Sequence, residues 1–325
     1  MPDRRTVLLA MGATLGLGEA MARAGAEASD AYDEPDAMYA ALFRQPHITL
    51  PMVGGTIDVT FADGASGIDR RLVVDWIRLA GRAMIAYFGR YPVDRYRLLV
   101  IAEPGETVGH ATTFGYAGPA TRIRVGTHAD ATAFANDWVL VHEMVHTALP
   151  DLPRRALWLQ EGNATYVEPV ARAQAGQLTE EDVWRQAVAG MPGGEPRPGD
   201  GGMDGTRAHN RLYWGGATFW LRAEVEIALR TSGRKMLRDA MRGMNRASGG
   251  NAATWTPEQL MAAGDAATGV DILAGLYEAF AHRRVGTDLP TLFSRLGVIA
   301  RPDGSVRLDD RAELAWLRRR ICIPS

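Results

Sequence analysis

The sequence predicts an α+β fold, with a small mixed sheet in the N-terminal half and a mostly helical C-terminal part. Three observations support this prediction. Alternating or continuously apolar runs, which are typical of β-strands, occur between residues 56 and 125. Apolar residues with helical spacing dominate from residue 154 onward. Between these two regions lies a helical segment that contains His142-Glu143-Met144-Val145-His146.

The composition is that of an ordinary globular protein, and it narrows the classes of function. The 325 residues are enough for one large domain or two smaller ones with a sizeable core. The formal net charge of -2 gives no reason to expect nucleic acid as a partner. Cys322 is the only cysteine in the sequence, so an intramolecular disulfide and a cysteine-rich zinc site are both excluded.

Residues 1–28 have the features of a secretory signal peptide. Arg4 and Arg5 precede a short run of apolar and small residues, and Ala22-Arg23-Ala24 is typical of a cleavage site. Paired arginines at this position resemble those of the twin-arginine export route. We therefore predict an exported protein, periplasmic or secreted, whose mature chain has no integral membrane span. A buried N-terminal helix is the alternative.

Residues 29–150 are predicted to form an N-terminal α/β subdomain. Residues 27–50 are rich in Ala, Asp and Pro, and we expect a loosely packed lead-in there. We expect the last strand to lie at the edge of the sheet beside a cleft, where an extended substrate can add a strand. An edge strand without a substrate role is the alternative. The predicted elements are a strand at Thr56–Phe61, a helix at Asp69–Phe88, a strand at Tyr96–Ala102, a Gly-rich connection at Gly105–Ala120 and the last strand at Thr121–Val125.

A predicted helix at Ala131–Ala148 carries the histidine motif and ends before Pro150. Residues four apart on a helix lie on one face, so the imidazoles of His142 and His146 can bind one metal ion. Zinc binds neutral imidazole nitrogens, and a catalytic zinc keeps one coordination position for water. Glu143 is placed to reach that water as a general base. A pair of surface histidines on an amphipathic helix is the alternative.

Residues 151–325 are predicted to form a helical C-terminal subdomain. Six glycines and three prolines in residues 191–206 predict either a mobile loop over the cleft or a surface insertion. Arg318-Arg319-Arg320 is interpreted as a solvated helix end. The predicted helices are Ala156–Arg172, Thr179–Ala189, Tyr213–Thr231, Gly233–Met244, Thr256–Ala263, Ile272–Arg283, Leu289–Leu296 and Asp309–Arg320.

The segment from Trp158 to Glu168 reads W-L-Q-E-G-N-A-T-Y-V-E. Glu161 follows His146 closely enough along the chain to reach the same metal ion. The segment resembles the second zinc-helix motif of the gluzincin metallopeptidases, in particular the aminopeptidase N and glycyl aminopeptidase families. The resemblance implies a thermolysin-like zincin fold and one Zn²⁺ per chain, with Glu161 as the third ligand. A solvated helix carboxylate is the alternative for Glu161.

A second stretch supports the same resemblance. Tyr213-Trp214-Gly215-Gly216-Ala217 is similar to the Tyr-x-x-Gly helix start of those families, where the tyrosine hydroxyl stabilises the oxyanion opposite the zinc. The resemblance implies that role for Tyr213, and a buried tyrosine at a helix start is the alternative. His209 either assists Tyr213 or is an ordinary surface histidine. The tail from Leu276 to Gly297 resembles the end of the glycyl aminopeptidase catalytic domain.

One motif of the aminopeptidase N family is missing. Relatives bind the free amino terminus of their substrate with the glutamate of a Gly-x-Met-Glu-Asn motif, whereas the corresponding region here reads Gly109-His110-Ala111-Thr112-Thr113. Without a carboxylate to pair with the substrate ammonium, specificity for a free amino terminus loses its physical basis.

The prediction is therefore a zinc-dependent peptidase that acts on a peptide or protein substrate. The first alternative is an aminopeptidase whose amine anchor is not recognised, with Glu103 or Glu106 as candidates. The second alternative is a catalytically inactive zincin-like binding protein. The presence of both Glu143 and Tyr213 argues against this second alternative, because zinc binding needs neither residue.

Overall fold

The computed structural model describes residues 31–324. The signal peptide predicted at residues 1–28 lies outside the described residues, so the export route stays a prediction. Within residues 31–324, none of the helices is long and apolar enough to cross a membrane.

A five-stranded mixed sheet lies in the N-terminal half, and a two-stranded hairpin lies near the C-terminus. The mixed sheet and the helical part after it confirm the predicted α+β class. The strands are β1 His47–Met52, β2 Gly55–Phe61, β3 Arg95–Glu103, β4 Val108–Phe114, β5 Ala120–Gly126, β6 Val298–Ala300 and β7 Val306–Leu308. The helices are α1 Pro35–Arg44, α2 Arg70–Phe88, α3 Ala131–Asn136, α4 Val139–His146, α5 Leu157–Gln174, α6 Glu180–Gly190, α7 Gly216–Arg230, α8 Leu237–Ser248, α9 Pro257–Thr268, α10 Leu273–His282, α11 Leu289–Leu296 and α12 Ala315–Cys322.

The strand order of the large sheet is β1-β2-β3-β5-β4, which corrects one prediction. Thr121–Val125 lies within β5, which pairs in parallel with β3 on one side and antiparallel with β4 on the other. It is therefore an internal strand and not the edge. The edge strand is β4, in the segment that the sequence predicts as a Gly-rich connection. The chain turns back after β4, so β5 is inserted between β3 and β4.

The prediction of a loosely packed lead-in is also wrong for the part that the structure describes. Residues 35–52 form α1 and β1, and β1 pairs with β2. The apolar face of α1 buries Met38, Tyr39 and Leu42 against Leu99 and Ile101 of β3. This contact covers the face of the sheet opposite to α2, which explains why these residues are ordered.

Two further helix predictions need correction. The segment predicted as one helix at Ala131–Ala148 is broken at Asp137 and Trp138 into α3 and α4. The helix predicted from Asp309 begins only at Ala315. Arg318 is not a solvated helix end, because its guanidinium is 1% exposed, bonds to the Glu180 carboxylate at 2.7 Å and pairs with Asp310.

The Gly- and Pro-rich segment 191–206 is packed against the helical core. Met191 and Met203 are both 2% exposed. A side chain at Gly202 would collide with the backbone of Ala281 at the end of α10. The Asp204 carboxylate accepts a hydrogen bond from the Trp158 indole at 2.8 Å. These contacts hold the segment beside the first turn of α5.

Candidate metal centre

The helix that carries the histidine motif begins where it does because of one partly buried carboxylate. Asp137 accepts hydrogen bonds from the backbone N–H groups of Val139 at 3.0 Å and Leu140 at 3.1 Å. The Trp76 indole of α2 donates to the same carboxylate at 3.1 Å. Burial raises the pKa of Asp137, although these hydrogen bonds oppose the shift. The cap therefore anchors α4 to α2 at the turn that precedes His142.

The ends of three side chains converge between α4 and α5. One potential ligand atom from each of His142, His146 and Glu161 lies within 4.8 Å of the others. Nε2 of His142 lies 3.3 Å from Glu161 Oε2, and Nε2 of His146 lies 3.5 Å from the same oxygen. In a tetrahedral site with bonds of about 2.1 Å, neighbouring ligand atoms are about 3.4 Å apart. The donor set and its spacing therefore fit zinc.

The pKa shifts of His142 and Glu161 suit a metal site, and that of His146 reflects its pairing with Glu161. Burial lowers the pKa of His142, which keeps its imidazole neutral. Burial acts to lower the pKa of His146 as well, but the hydrogen bond and charge of Glu161 outweigh it and raise the pKa. Burial acts to raise the pKa of Glu161, but hydrogen bonds from both histidines hold that pKa well below its usual range. Metal binding would release a proton from this cluster.

A cavity of about 580 Å³ opens directly over this cluster. Glu143, His146, Glu161 and Tyr213 line it, as does β4 along His110–Phe114. The edge strand and the metal helix are joined by a hydrogen bond from the Thr113 hydroxyl to the backbone carbonyl of Glu143, at 3.1 Å. The structure therefore brings together Glu143, Tyr213 and the three candidate ligands, and it adds the edge strand.

Tyr213 is placed by a π-helical turn at Arg211–Gly215, directly before α7. Its ring stacks on the His142 ring with centroids 5.9 Å apart. The helices α5 and α7 come close enough here for their backbones to touch. A Cβ atom on Gly162 would lie 2.3 Å from the Gly216 backbone, and one on Gly216 would lie 2.2 Å from the Trp158 carbonyl oxygen. Only glycine at both positions allows this approach.

Two other histidines lie near the cleft. The His209 ring is 4.3 Å from the Tyr213 ring, centroid to centroid, so His209 contacts the tyrosine although it is exposed. His110 is exposed on β4, lines the cleft, and lies 3.2 Å from the Thr112 hydroxyl. Trp138 is 51% exposed, and its ring meets the edge of the His142 ring at 5.4 Å.

The structure separates the two carboxylates that the sequence offers as amine anchors from the metal cleft. Glu103 lies beside Arg124, 4.0 Å away, and Glu106 lines a different cavity. Asp151 is the carboxylate that sequence reasoning missed, since it lines the metal cleft together with Asn251. Its carboxylate accepts a hydrogen bond from Gln160 at 3.2 Å. A lone Asp in the turn after Pro150 carries no pattern that could have identified it.

Comparison with known proteins shows a similarity of fold. No protein-family model and no curated relative matches the sequence. A solved aminopeptidase N family protein from Idiomarina loihiensis is similar with a TM-score of 0.55 and 15% sequence identity, over 78% of this chain and 49% of that chain. The two proteins share a fold. An M1 zinc metallopeptidase from Deinococcus radiodurans matches with a TM-score of 0.47 and 16% identity, over 75% of this chain and 53% of that chain. The chain spans about half the length of the solved structures that it matches.

Proposed function

We propose that this protein is a zinc-dependent peptidase with a thermolysin-like zincin arrangement. His142, His146 and Glu161 would hold one zinc ion per chain. The observation that carries the proposal is the spacing of 3.3 and 3.5 Å between the two imidazole nitrogens and one carboxylate oxygen, in a cleft that Glu143 also lines. Three protein ligands leave a fourth position for a reacting water, as catalytic zinc sites do.

The side chains around the cluster would each supply one part of the hydrolytic reaction. A bound zinc ion would supply the Lewis acid that polarises the water and the scissile carbonyl. The Glu143 carboxylate would accept a proton from the attacking water and then deliver it to the leaving amine. The Tyr213 hydroxyl would donate a hydrogen bond to the developing oxyanion. The stacking of the Tyr213 ring on the His142 ring supports this role, because it places the tyrosine next to a proposed zinc ligand.

The substrate would bind as an extended segment along β4. This strand is the edge of the sheet, so the backbone groups on its outer side have no strand partner within residues 31–324. Its residues from His110 to Phe114 line the cleft beside Glu143. An extended peptide could add one more strand there, with main-chain hydrogen bonds that align the scissile bond with the cluster. Such binding requires no free terminus and favours cleavage within a chain.

A second candidate function is that of an aminopeptidase that uses Asp151 as its amine anchor. Asp151 lines the metal cleft and is assigned to neither the ligand set nor proton transfer. Its carboxylate could pair with a substrate ammonium group. We give this candidate second place because the Gln160 amide already occupies one of its oxygens.

The test is a zinc and cleavage assay on the purified protein, Glu143→Gln and the control Glu181→Gln. Glu181 is an exposed residue of α6. We expect about one zinc per chain in all three proteins, because Glu143 is not a ligand. We expect cleavage of a mixed peptide library to fall by at least about a hundredfold in Glu143→Gln alone. Bound zinc without cleavage by the wild type would indicate an inactive binding protein, and absence of zinc would refute the proposal.

Matched peptides with free and acetylated amino termini separate the two candidate functions. A peptidase that acts within chains cleaves both forms at similar rates. An aminopeptidase cleaves only the free form, and Asp151→Asn would then raise KM for it while the zinc content stays the same.

A further inference from the structure

A second cavity, of about 510 Å³, lies beside the metal cleft and is strongly basic. We call it the basic cavity. Three of its lining residues are arginines and none is acidic. Its lining consists of Arg154, Arg155, Leu157, Gly205, Thr206, Arg207 and Leu212.

The basic cavity adjoins the catalytic groups through shared elements. Leu157 lines both the basic cavity and the metal cleft. On α5 it precedes Glu161 by four residues, so the two side chains lie on the same helical face. Leu212, which also lines the basic cavity, is the neighbour of Tyr213 in the π-helical turn. A substrate group that extends past Leu157 therefore enters the basic cavity.

The three arginines differ in how their charges are used. Arg155 is 3.0 Å from the Asp204 carboxylate and 3.3 Å from Glu258, so its charge is compensated and its position is fixed. Arg154 and Arg207 are exposed, and neither forms an ion pair or a side-chain hydrogen bond with residues 31–324. Two guanidinium groups thus remain available to an anion, at the rim of a cavity that has no acidic lining.

A separate cavity, which shares no lining residue with the metal cleft, has the reverse charge. It begins at Val108, where β4 starts, and Glu106, Asp130 and Asp137 line it together with His128. Neither lysine nor arginine lines that cavity. An anionic substrate group would be repelled there and attracted at the basic cavity. The two cavities therefore favour charges of opposite sign.

We propose that the basic cavity binds a carboxylate of the peptide substrate, through Arg154 and Arg207. The guanidinium fork matches a carboxylate in geometry and charge, and it keeps its charge at every physiological pH. The carboxylate can belong to an Asp or Glu side chain or to the carboxyl terminus of the peptide. This inference rests on the proposed peptidase function, because it names the substrate class of the same cleft.

The experiment compares peptide pairs that differ only in one carboxylate. One pair has Glu or Gln near the scissile bond, and the other has a free or an amidated carboxyl terminus. For the wild type we expect kcat/KM to favour the acidic member of one pair by about fivefold to tenfold at low salt. The ratio should fall toward one in Arg154→Gln/Arg207→Gln, and it should fall for the wild type at about 0.5 M NaCl. The control Arg301→Gln, an exposed arginine at the β6–β7 turn, should keep the wild-type ratio.

A binding measurement makes the inference independent of turnover. The same peptide pairs, labelled with a fluorophore, are titrated into Glu143→Gln with and without the two arginine substitutions. The inference predicts tighter binding of the acidic member only when both arginines are present. Equal ratios in the wild type, or a preference that survives the double substitution, would overturn the inference while leaving the peptidase function intact. If the wild type cleaves no peptide, the peptidase proposal fails and this titration still decides whether the arginines bind a carboxylate.

The two pairs also identify the source of the carboxylate. A preference in the Glu and Gln pair alone assigns the basic cavity to an acidic side chain. A preference in the terminal pair alone assigns it to the free carboxyl terminus, and then cleavage should occur at a fixed distance from that end.

Discussion

The metal cleft has two walls that are built differently. The helical wall consists of α4, α5 and the π-helical turn at Arg211–Gly215, and it carries the candidate ligands, Glu143 and Tyr213. The α5 backbone touches that of α7 at Gly162 and Gly216, and the candidate ligand His142 is 5% exposed. The strand wall consists of β4, in which only Ala111 is buried. Its outer edge has no strand partner among the described residues.

The two walls meet two different physical requirements of a peptidase site. Proton transfer and charge stabilisation depend on sub-ångström placement, so the groups proposed for them lie on packed helices. Recognition of an extended chain requires unpaired backbone groups, and a sheet edge supplies them only while it stays open. Changes to the helical wall should therefore cost more than changes to the strand wall, and the following predictions test that ranking.

The largest effect is expected for Gly162→Ala. The new Cβ would lie 2.3 Å from the Gly216 backbone, which cannot rotate away, so α5 and α7 must separate. Overpacking of this kind costs about 1–3 kcal/mol, and a shift of Tyr213 relative to Glu161 by about 1 Å can cost about a hundredfold in rate. Denaturant unfolding and kcat/KM on one peptide measure both effects.

Gly275→Ala is the matched control, since Gly275 is an exposed position of α10 with no heavy atom within 4 Å of the added Cβ. It should leave activity unchanged and stabilise the protein slightly, because alanine favours a helix over glycine. Equal behaviour of the two variants would show that the backbone contact does not matter.

An intermediate effect concerns pH and a buried carboxyl behind the helical wall. Burial raises the pKa of Glu224 on α7 to about 7, although the Leu237 N–H donates to it at 2.8 Å. In the unfolded chain the same group titrates near 4.3. Between these values the folded state holds the extra proton, so this group lowers the stability as the pH rises from about 4.3 to about 7, and the loss levels off above that pH.

Glu224→Gln cannot ionise. Its amide oxygen can accept from the Leu237 N–H, and its NH2 group can donate to the Tyr166 hydroxyl oxygen, which lies 3.2 Å from the Glu224 carboxylate. We therefore expect the free energy of unfolding of Glu224→Gln to exceed that of the wild type at pH 8, and to approach it at pH 5. Glu226→Gln on the same helix removes a partly exposed pair with Arg222 and should follow the wild-type pH profile. Denaturant titrations at both pH values and at a fixed zinc concentration measure the free energy of unfolding of each protein. Parallel wild-type and Glu224→Gln profiles would assign the pH dependence to other groups.

The smallest effect is expected for Thr113→Val on the strand wall. This change removes the hydroxyl that bonds to the Glu143 carbonyl at 3.1 Å and to the Thr121 hydroxyl at 2.6 Å. Loss of these bonds should cost about 1–2 kcal/mol of stability and lower kcat/KM by only a few fold. Thr60→Val, at a buried position of β2, is the control for the same change of side chain. A loss of activity larger than that of Gly162→Ala would invert the proposed ranking of the walls.

Sequence reasoning succeeds where the pattern is local. The spacing of His142 and His146 places two imidazoles on one helical face whatever surrounds the helix. Glu161 follows fifteen residues later, after a turn that brings α5 back against α4, and the family resemblance supplied this assignment. These three residues do converge in the structure.

It fails where the outcome depends on long-range packing. Strand order depends on how the chain turns back after β4. Glycines at 105 and 109 make the segment around β4 resemble a loop in the sequence. The helix break at Asp137 depends on the indole of Trp76, which lies 61 residues earlier in the chain. Arg318 can be buried because its guanidinium forms ion pairs with the carboxylates of Glu180 and Asp310. None of these partners can be identified from neighbouring residues.

The π-helical turn before α7 also sets a rotational phase. In it, the Gly216 N–H bonds to the carbonyl oxygen of Arg211 five residues back, one more than in an α-helix. One additional residue turns everything on its N-terminal side by about 100° relative to α7. The direction in which Tyr213 points is therefore not the one that continuing the α-helical turn of α7 would give. Deleting Gly215 would restore the α-helical phase and point Tyr213 away from the cleft, without removing any side chain of the core.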